Sequence, residues 1–434
     1  MNKLKSLFIS YKNEGLFNIR FLIIWFMVAV YPLIVIPNPF YISFPVGVVP
    51  PNYFYAPRYV ILVIISIIAL LILIKDKTKI SHPVFIPLFL FVILIIISSF
   101  LAPVPITAWI GSPHRYTGAS TYFCCIILFI LASTCSKDKL LIILSSLIFT
   151  AAVVSIIALL QYAGINLVPH DFVKKDLISY GTMPHPNFLG TYMVFTLPGS
   201  ILLYLQKPNR SLYLVSSLII FAGLVVSLCR GAWLAFLPIL LIIVYYVWKN
   251  REKRKKIVLL FLVFLTIICI LIPFGKGIIS SKFSSISGEV SSGISMEGQA
   301  GTYRVFIWQH TIKLLKHFWA FGIGPDCLIY AKLITPIKEL VDKAHNIYLE
   351  IAVTLGVFAL FSYLSFLFLL LRKTYNENGF LIFTMITAYL VQGFVNIDIV
   401  AIMPLFWIVL GLSLANSYHE TDKKTAISDK NLPV

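Results

Sequence analysis

Residues 302–326, TYRVFIWQHTIKLLKHFWAFGIGPD, lie within residues 274–344, the one long segment of this chain that is not strongly apolar. Apolar residues recur in the quoted stretch at spacings of three and four, with basic residues between them, which predicts an amphipathic helix lying flat on a membrane surface. The apolar residues of this pattern are Val305, Phe306, Trp308, Ile312, Leu315 and Trp319. The Ser- and Gly-rich residues 280–301 have the composition of a linker, so we assign them no regular structure. Residues 327–341 are a further helical candidate.

The rest of the chain has the composition of a membrane protein. Of its 434 residues, 59% are hydrophobic and 12% charged, and the mean hydropathy is +0.93. Apolar runs of about 20 residues match the hydrocarbon thickness of a bilayer. We therefore predict an all-α integral membrane protein with about twelve transmembrane helices, forming a single polytopic domain over residues 1–434. The predicted spans are residues 19–37, 58–75, 84–101, 119–135, 139–162, 187–206, 211–229, 232–248, 257–273, 346–371, 379–396 and 400–417.

The distribution of basic residues predicts the orientation. Most of the 35 Lys and Arg residues fall in segments that share one side of the membrane with the N-terminus. Because such residues are retained in the cytoplasm, we expect a multi-pass protein of the cytoplasmic (inner) membrane with both termini in the cytoplasm. The large loop 274–344, between spans nine and ten, would face outward. The net charge of +18 is divided among many short loops, which favours membrane lipids rather than nucleic acid as partners.

Three arginines and one histidine suggest a chemistry on the outward side. Arg115, Arg230 and Arg304 come from three separate outer segments, and His345 precedes the tenth span. A guanidinium group donates paired hydrogen bonds to phosphate oxygens, and a histidine can take a proton from an attacking hydroxyl. Together they suggest transfer of a group away from a diphosphate. No HExxH motif or similar ligand spacing accompanies the histidines, so we expect neither a metal nor another cofactor.

Several neighbouring polar residues remain open to two interpretations. Asn346 and Glu350 lie on one helical face next to the histidine, where they could bind substrate, although Glu350 could equally bond a neighbouring helix. Asn187, after a proline, is more typical of a helix cap than of a ligand-binding residue. Asp398, in the last outer turn, is expected to be structural. We assign no role to the His185 turn.

Five stretches of the sequence resemble the O-antigen ligase and O-antigen polymerase superfamily. They occur in the family's order and with its predicted topology, over roughly residues 105–415. The stretches are WIGSPHRYTGASTYF at 109–123, HPNFLGTYMVFTLPG at 185–199, SLCRGAWLA at 227–235, the block at 303–326, and AHNIYLEIAVTLGVFAL at 344–360. The chain departs from the family's pattern at the His185 turn.

The resemblance implies a metal-independent, inverting glycosyltransferase that uses a glycan on undecaprenyl diphosphate as donor. Arg230 and Arg304 would hold the diphosphate and stabilise its departure, with Arg115 as a third phosphate ligand. His345 would orient or deprotonate the acceptor hydroxyl. The acceptor would be lipid A core, another surface polymer or a protein, and the active site would face outward.

Two other functions compete with the ligase-like one. A surface-polysaccharide polymerase, which joins repeat units, would carry the same motifs, although the His-Asn motif and the position of the long loop favour a ligase. A transporter of lipid-linked sugars would also need outer arginines, but it should carry broken helices and ionisable residues near the membrane midplane. Of the acidic residues, only Glu350 enters a predicted span, which favours an enzyme.

Overall fold

The computed structural model describes residues 19–36, 54–78, 82–113, 115–168, 179–206, 210–248, 250–274, 277–294, 300–335, 341–375 and 379–415. Every regular element within these ranges is helical. The apolar helices are α1 Ile19–Leu33, α2 Ala56–Lys75, α3 Phe85–Phe100, α5 Ala119–Ser133, α6 Lys137–Tyr162, α7 Pro186–Gln206, α8 Arg210–Val226, α9 Arg230–Trp248, α10 Arg251–Phe274, α15 Val357–Thr374, α16 Phe380–Gln392 and α17 Met403–Ala415. The remaining helices are α4 Pro105–Ile110, α11 Ile278–Ile294, α12 Ala300–Phe318, α13 Ala331–Ile334 and α14 Ile347–Thr354.

The apolar helices identify a multi-pass membrane protein. Six helices in the described ranges are both long and apolar enough to cross a bilayer: α2, α6, α7, α9, α10 and α15. The other six apolar helices, at 10–17 residues, are shorter. Each predicted span contains one of these helices, while the total of twelve crossings remains a prediction.

The tenth predicted span, residues 346–371, is not one continuous helix. It divides into α14 and α15 at Gly356, where φ is +96°. Gly322, with φ +73°, approaches the same break so closely that a Cβ atom there would lie 2.1 Å from the Thr354 carbonyl oxygen. The backbone N–H groups of Ile323 and Gly324 donate to the carbonyls of Val353 and Thr354, at 3.0 and 2.8 Å. The break is therefore held by main-chain hydrogen bonds that hydropathy does not predict.

Helix α7 lies at the centre of the bundle. It is buried along its whole apolar length and packs against α6, α8, α9 and α16. A helix that is apolar on all sides belongs inside a bundle rather than against lipid, where one face would stay exposed. Its first residues, Pro186 and Asn187, place its N-terminus at the candidate site.

Residues 274–344, called the inserted segment below, contain more structure than predicted. The expectation of no regular structure at 280–301 was wrong, because α11 occupies Ile278–Ile294. Its apolar residues hold it in place: Ile279 is buried, and the Phe283 ring stacks on Trp233 of α9 with ring centroids 4.5 Å apart. Composition alone indicated a linker, since serine and glycine dominate the sequence around these few contacts.

The helix predicted from residues 302–326 is present as α12, and its placement flat on a membrane surface stays a prediction. Thr311 and Leu314 are buried, whereas Phe306, Ile312 and Trp319 of the predicted apolar stripe are exposed. Apolar residues occur on both sides of this helix, so periodicity could not select the packed side. Of the helix predicted over 327–341, the described residues form a 3₁₀ turn at Leu328–Tyr330 followed by α13, and residues 336–340 lie outside the described ranges.

A second hydrophobic core joins the inserted segment to the bundle. It is separate from the large core of the apolar helices. Its buried members are Ala102, Ala108, Leu314, Ile323, Cys327, Leu328, Ala331, Val341, Ala344 and Val353. Because they come from the α3–α4 region, α12, the 323–331 turn, the residues before α14 and α14 itself, this core fixes α12 relative to α14.

Candidate active site

One cavity brings together the three residues predicted to be catalytic. Arg230, Arg304 and His345 line the same space of about 350 Å³. The other lining residues are Asn187, Leu228, Cys229, Gly231 and Lys282. We call this space the cationic cavity, because Arg230, Arg304 and Lys282 all contribute to its wall.

A tight turn between α8 and α9 presents Arg230 to the cavity. Leu228 adopts a left-handed conformation with φ +53°, which costs about 1–2 kcal/mol for a residue other than glycine. The turn is closed by Cys229, whose carbonyl accepts hydrogen bonds from the N–H groups of Ala232 and Trp233. Arg230 then begins α9 and donates from Nη1 to Ser285 Oγ on α11, at 2.7 Å. The helix predicted to be absent thus holds a site arginine in place.

Three helix N-termini meet at the cationic cavity. Asn187 is in the first turn of α7, Arg230 begins α9, and His345 lies two residues before α14. Each N-terminus is the positive end of a helix dipole. With the basic side chains, they make this cavity suited to an anion.

His345 is held in an uncommon backbone conformation, with φ +49°. The residues on both sides of it are fixed. Ala344 N–H donates to Glu350 Oε2 at 2.8 Å, and Ile347 N–H donates to the Gly393 carbonyl at 2.8 Å. Strained residues held by their surroundings in this way are common at functional sites.

The surroundings of His345 keep its imidazole neutral. Burial first, and then the positive charges of Arg304 and Arg115, lower its pKa to about 4, while Asp342 opposes them. A neutral imidazole can accept a proton.

Residues 215–364 match the family described as O-Antigen ligase. This O-antigen ligase segment covers just over a third of the chain and contains Arg230, Arg304 and His345. The match confirms the resemblance to the O-antigen ligase superfamily and supports an enzyme of the O-antigen ligase or polymerase type, which is glycosyltransferase-like. No curated relative matches this chain.

Two further predicted substrate-binding residues of the O-antigen ligase segment do not line the cationic cavity. Asn346 is the N-cap of α14, and its Oδ1 accepts from the N–H groups of Tyr348 and Leu349 at 3.0 and 3.1 Å. Glu350 is buried and bonds Ala344 and Lys343. The contacts of both residues stabilise the backbone around His345.

A buried charged cluster beneath His345 was missed in the sequence. Lys343 Nζ lies 2.7 Å from Asp326 Oδ1 and 2.8 Å from Glu350 Oε1, and the three residues are at most 9% exposed. Asp326 Oδ2 also accepts from the N–H groups of Ser112 and Thr117, at 2.7 and 3.3 Å. We call Asp326, Lys343 and Glu350 the buried triad. Its sequence signal was the DKAHN stretch at 342–346, in which only the histidine and asparagine had been considered.

Arg115 does not lie on the wall of the cationic cavity, although it was predicted as a third phosphate ligand. It forms an ion pair with Asp342, with Nη1 and Oδ2 2.5 Å apart. Both residues line a second cavity. Most residues of its wall, Arg115 among them, lie outside the matched residues 215–364.

The second cavity has a volume of about 360 Å³ and shares Asn187 and His345 with the cationic cavity. Its other lining residues are Tyr55, Arg115, Pro184, His185, Phe188, Asp342, Asn396 and Ile397. Asn187 is not the helix cap that was expected. His185 has that role, since its Nδ1 accepts from the Asn187 N–H at 3.1 Å, and the Asn187 side chain contributes to both cavities.

No group of three or more His, Cys, Asp or Glu residues in the described part of the chain is placed to hold a metal ion. Asp398 accepts a hydrogen bond from the Tyr389 hydroxyl, as expected for a carboxylate with a structural role.

Proposed function

We propose that the protein is an O-antigen ligase-like glycosyltransferase that moves a glycan from undecaprenyl diphosphate to an acceptor hydroxyl. The observation that carries this proposal is that Arg230, Arg304 and His345 line one cavity. These residues come from α9, α12 and the turn before α14, which are far apart in the sequence. Their convergence would be unexpected for isolated arginines that only anchor helix ends.

The cationic cavity is suited to the diphosphate of the donor. Arg230 and Arg304 can each donate paired hydrogen bonds to phosphate oxygens, and Lys282 adds a third positive charge. The N-termini of α7, α9 and α14 add the positive ends of three helix dipoles on the same side. Negative charge grows on the diphosphate as it leaves, so fixed positive groups stabilise the transition state more than the bound donor.

The transfer step can be written with these residues and the two substrates. The acceptor oxygen attacks the anomeric carbon of the donor sugar from the face opposite the diphosphate. The bond between that carbon and the diphosphate oxygen breaks, and its electron pair leaves with undecaprenyl diphosphate. His345 takes the proton of the acceptor hydroxyl. The anomeric configuration is inverted, and positive charge at the leaving group comes from arginine rather than from a metal ion.

Donor binding would prepare His345 for this role. Burial is the main reason that its pKa is lowered to about 4, and the positive charge of Arg304 is the next. A bound diphosphate offsets that charge, so the pKa of His345 rises when the donor is present. The histidine becomes a stronger base when the sugar to be transferred is in place.

The predicted membrane arrangement is consistent with this donor. Undecaprenyl diphosphate is anchored in the bilayer by its lipid, and the apolar helices place the protein in the same phase. We propose that the cavity faces outward from the cytoplasmic membrane and that both termini are cytoplasmic, on the basis of the basic residues in the short loops.

The experiment is a transfer assay with purified protein in lipid vesicles. Undecaprenyl-diphosphate-linked oligosaccharide and candidate acceptors are supplied in EDTA, and the release of undecaprenyl diphosphate is measured. We expect wild-type protein to release it, and Arg230→Ala, Arg304→Ala and His345→Ala to lose at least about 100-fold in rate. Lys316→Ala and His317→Ala are matched controls, since both residues are exposed on α12, and they should retain the rate.

The products distinguish the alternatives. A single addition to the acceptor indicates a ligase, whereas a ladder of repeat units indicates a polymerase. Donor that crosses the bilayer unchanged would replace the proposal with transport. Retained activity in folded His345→Ala and Arg230→Ala would show that this cavity is not the site.

A further inference from the structure

We infer that the second cavity is the acceptor site, and that it takes an uncharged sugar residue of a glycan acceptor. This inference rests on the proposed function and adds to it the place and chemical class of the second substrate. The cavity is the space of about 360 Å³ that shares His345 and Asn187 with the cationic cavity.

The position of the second cavity follows from the requirements of the transfer step. The acceptor hydroxyl must reach both the base and the anomeric carbon, while the diphosphate occupies the arginines. His345 is on the wall of both cavities, so a hydroxyl in the second cavity can contact it while the donor diphosphate fills the first. Inversion requires the acceptor to approach from the side opposite the leaving group, and two separate cavities that share His345 allow such an approach.

The apolar part of the wall fits a sugar ring. Tyr55 and Phe188 are aromatic residues with small exposed fractions, and Pro184 and Ile397 lie beside them. The His185 and Phe188 rings contact each other edge to face, with centroids 6.1 Å apart. The carbon–hydrogen faces of a sugar pack on such surfaces, as apolar groups do in ligand sites generally.

The polar part of the wall fits hydroxyl groups. Asp342 has an exposed side-chain fraction of 46%, and its carboxylate can accept several hydrogen bonds in addition to the one from Arg115. Asn187 adds an amide group that both donates and accepts, and Asn396 adds an amide whose Nδ2 already donates to Thr191 Oγ1. Hydroxyl groups, which also donate and accept, match this set.

The charge of the second cavity differs from that of the first. Among its described lining residues, Arg115 and Asp342 carry the permanent charges, and they pair with each other. The cationic cavity has Arg230, Lys282 and Arg304 on its wall. A phosphorylated acceptor sugar would therefore be held less well in the second cavity than a neutral one, and it would be drawn toward the donor's arginines.

The test uses two acceptors that differ in one group, a neutral oligosaccharide and the same oligosaccharide carrying a single phosphate. The KM for each is measured with wild type, Asp342→Asn and Arg115→Gln in the vesicle transfer assay. Wild type should prefer the neutral acceptor. Asp342→Asn leaves Arg115 without its carboxylate and should shift the ratio of kcat/KM values about tenfold toward the phosphorylated acceptor. Arg115→Gln should shift it in the opposite direction.

A third variant tests the apolar wall, and the KM for the donor is the common control. Phe188→Ala should raise the KM for the neutral acceptor about tenfold. All three variants should keep the donor KM of wild type, whereas Arg230→Ala should raise it. The control Lys316→Ala should change neither value.

The outcomes separate this inference from the proposed function. If wild type releases no undecaprenyl diphosphate with any acceptor, the proposed function fails, and the acceptor site fails with it. If wild type transfers the glycan but none of the three variants moves the acceptor KM or the preference, the proposed function stands and the acceptor site is wrong. Variants that change only the donor KM would also overturn it.

Discussion

Two neighbouring residues, Asp342 and Lys343, form ion pairs in very different surroundings. The Asp342 side chain is 46% exposed and pairs with Arg115 at the second cavity. Lys343 is 4% exposed and lies between Asp326 and Glu350. Adjacent residues thus belong to different structures: Asp342 to an ion pair at the second cavity, and Lys343 to the buried triad that holds the backbone before α14.

The difference shows how the segment before α14 combines two tasks. A partly exposed pair contributes little to stability, because water competes for both charges and the side chains lose freedom. A buried triad is costly to break, since removing one member leaves charges without compensation in a medium of low polarity. Charges at the cavity can therefore be changed with little effect on folding, whereas those beneath His345 cannot.

The largest expected effect comes from Lys343→Met. This change leaves the carboxylates of Asp326 and Glu350 buried beside each other, so we expect the free energy of unfolding to fall by about 3–5 kcal/mol. The measurement is denaturant unfolding of purified protein in detergent. Asp342→Asn, at the next position, should lower the same quantity by about 1 kcal/mol or less. Equal losses in the two variants would contradict the comparison, and Lys313→Met, at an exposed position on α12, is the control for the substitution itself.

An intermediate effect is expected from Glu350→Gln, which nearly preserves side-chain shape. The amide oxygen can still accept from the Ala344 N–H, but the pairing with Lys343 is lost, so we expect a loss of about 1–3 kcal/mol in unfolding free energy. Loss of the pairing with Lys343 loosens the side chain that holds Ala344, the residue before His345, so kcat should fall while the donor KM stays near that of wild type. A changed donor KM with unchanged kcat would show that Glu350 does not position the histidine. Glu252→Gln, at an exposed site on α10, is the matched control.

The smallest effects are shifts in the pH profile of transfer. In the free enzyme, burial first and then Arg304 and Arg115 lower the pKa of His345 to about 4, so kcat/KM should fall only as pH drops toward that value. Arg115→Gln removes a positive charge and should move this fall to higher pH, while Asp342→Asn should move it lower. Lys343, which also lowers the pKa, is present in both variants. The profile of kcat should lie at higher pH than that of kcat/KM, since bound diphosphate offsets Arg304.

The lowered pKa of His345 also predicts how the free energy of unfolding changes with pH. Its pKa in the folded protein is about 4, below the ordinary value of 6.5. Between these values the unfolded chain binds the proton first, so His345 disfavours folding as pH falls from 6.5 toward 4 and has no such effect above 6.5. Unfolding of wild type and His345→Gln across this range measures the contribution. The lowered pKa would be contradicted if the free energy of unfolding of wild type fell no more steeply with decreasing pH than that of the variant.

Much of the fold could be predicted from composition, because apolar runs of the right length have few alternatives to membrane helices. The resemblance of the motifs to one family predicted that Arg230, Arg304 and His345 lie together. No single motif could predict this, because each is only a short polar interruption of an apolar run. The break at Gly356 could not be predicted in this way. It depends on hydrogen bonds from residues 323 and 324, which are distant in the sequence, and hydropathy does not report such contacts.

The directions of the side chains in residues 342–350 could not be predicted from the sequence either. Asn346 and Glu350 were placed at the substrate because they adjoin His345 at helical spacing. However, the left-handed backbone of His345 directs it to the cavities while its neighbours cap α14 and complete the buried triad. Helix α11 was missed for another reason: a few apolar contacts fix it, and serine-rich composition obscured them.

The short helix α14 is anchored at both ends, which makes it a rigid link between His345 at its start and the residues that follow α12 at its end. It has eight residues, so it is about 12 Å long. The buried triad and Gly393 fix its beginning beside His345, and the N–H groups of Ile323 and Gly324, which follow α12, fix its end. Under the proposed function, a displacement of α12 on binding of the donor diphosphate would be transmitted along α14 to the histidine. Donor capture and acceptor activation would then be mechanically coupled, and a linker inserted between Phe318 and Gly322 should uncouple them.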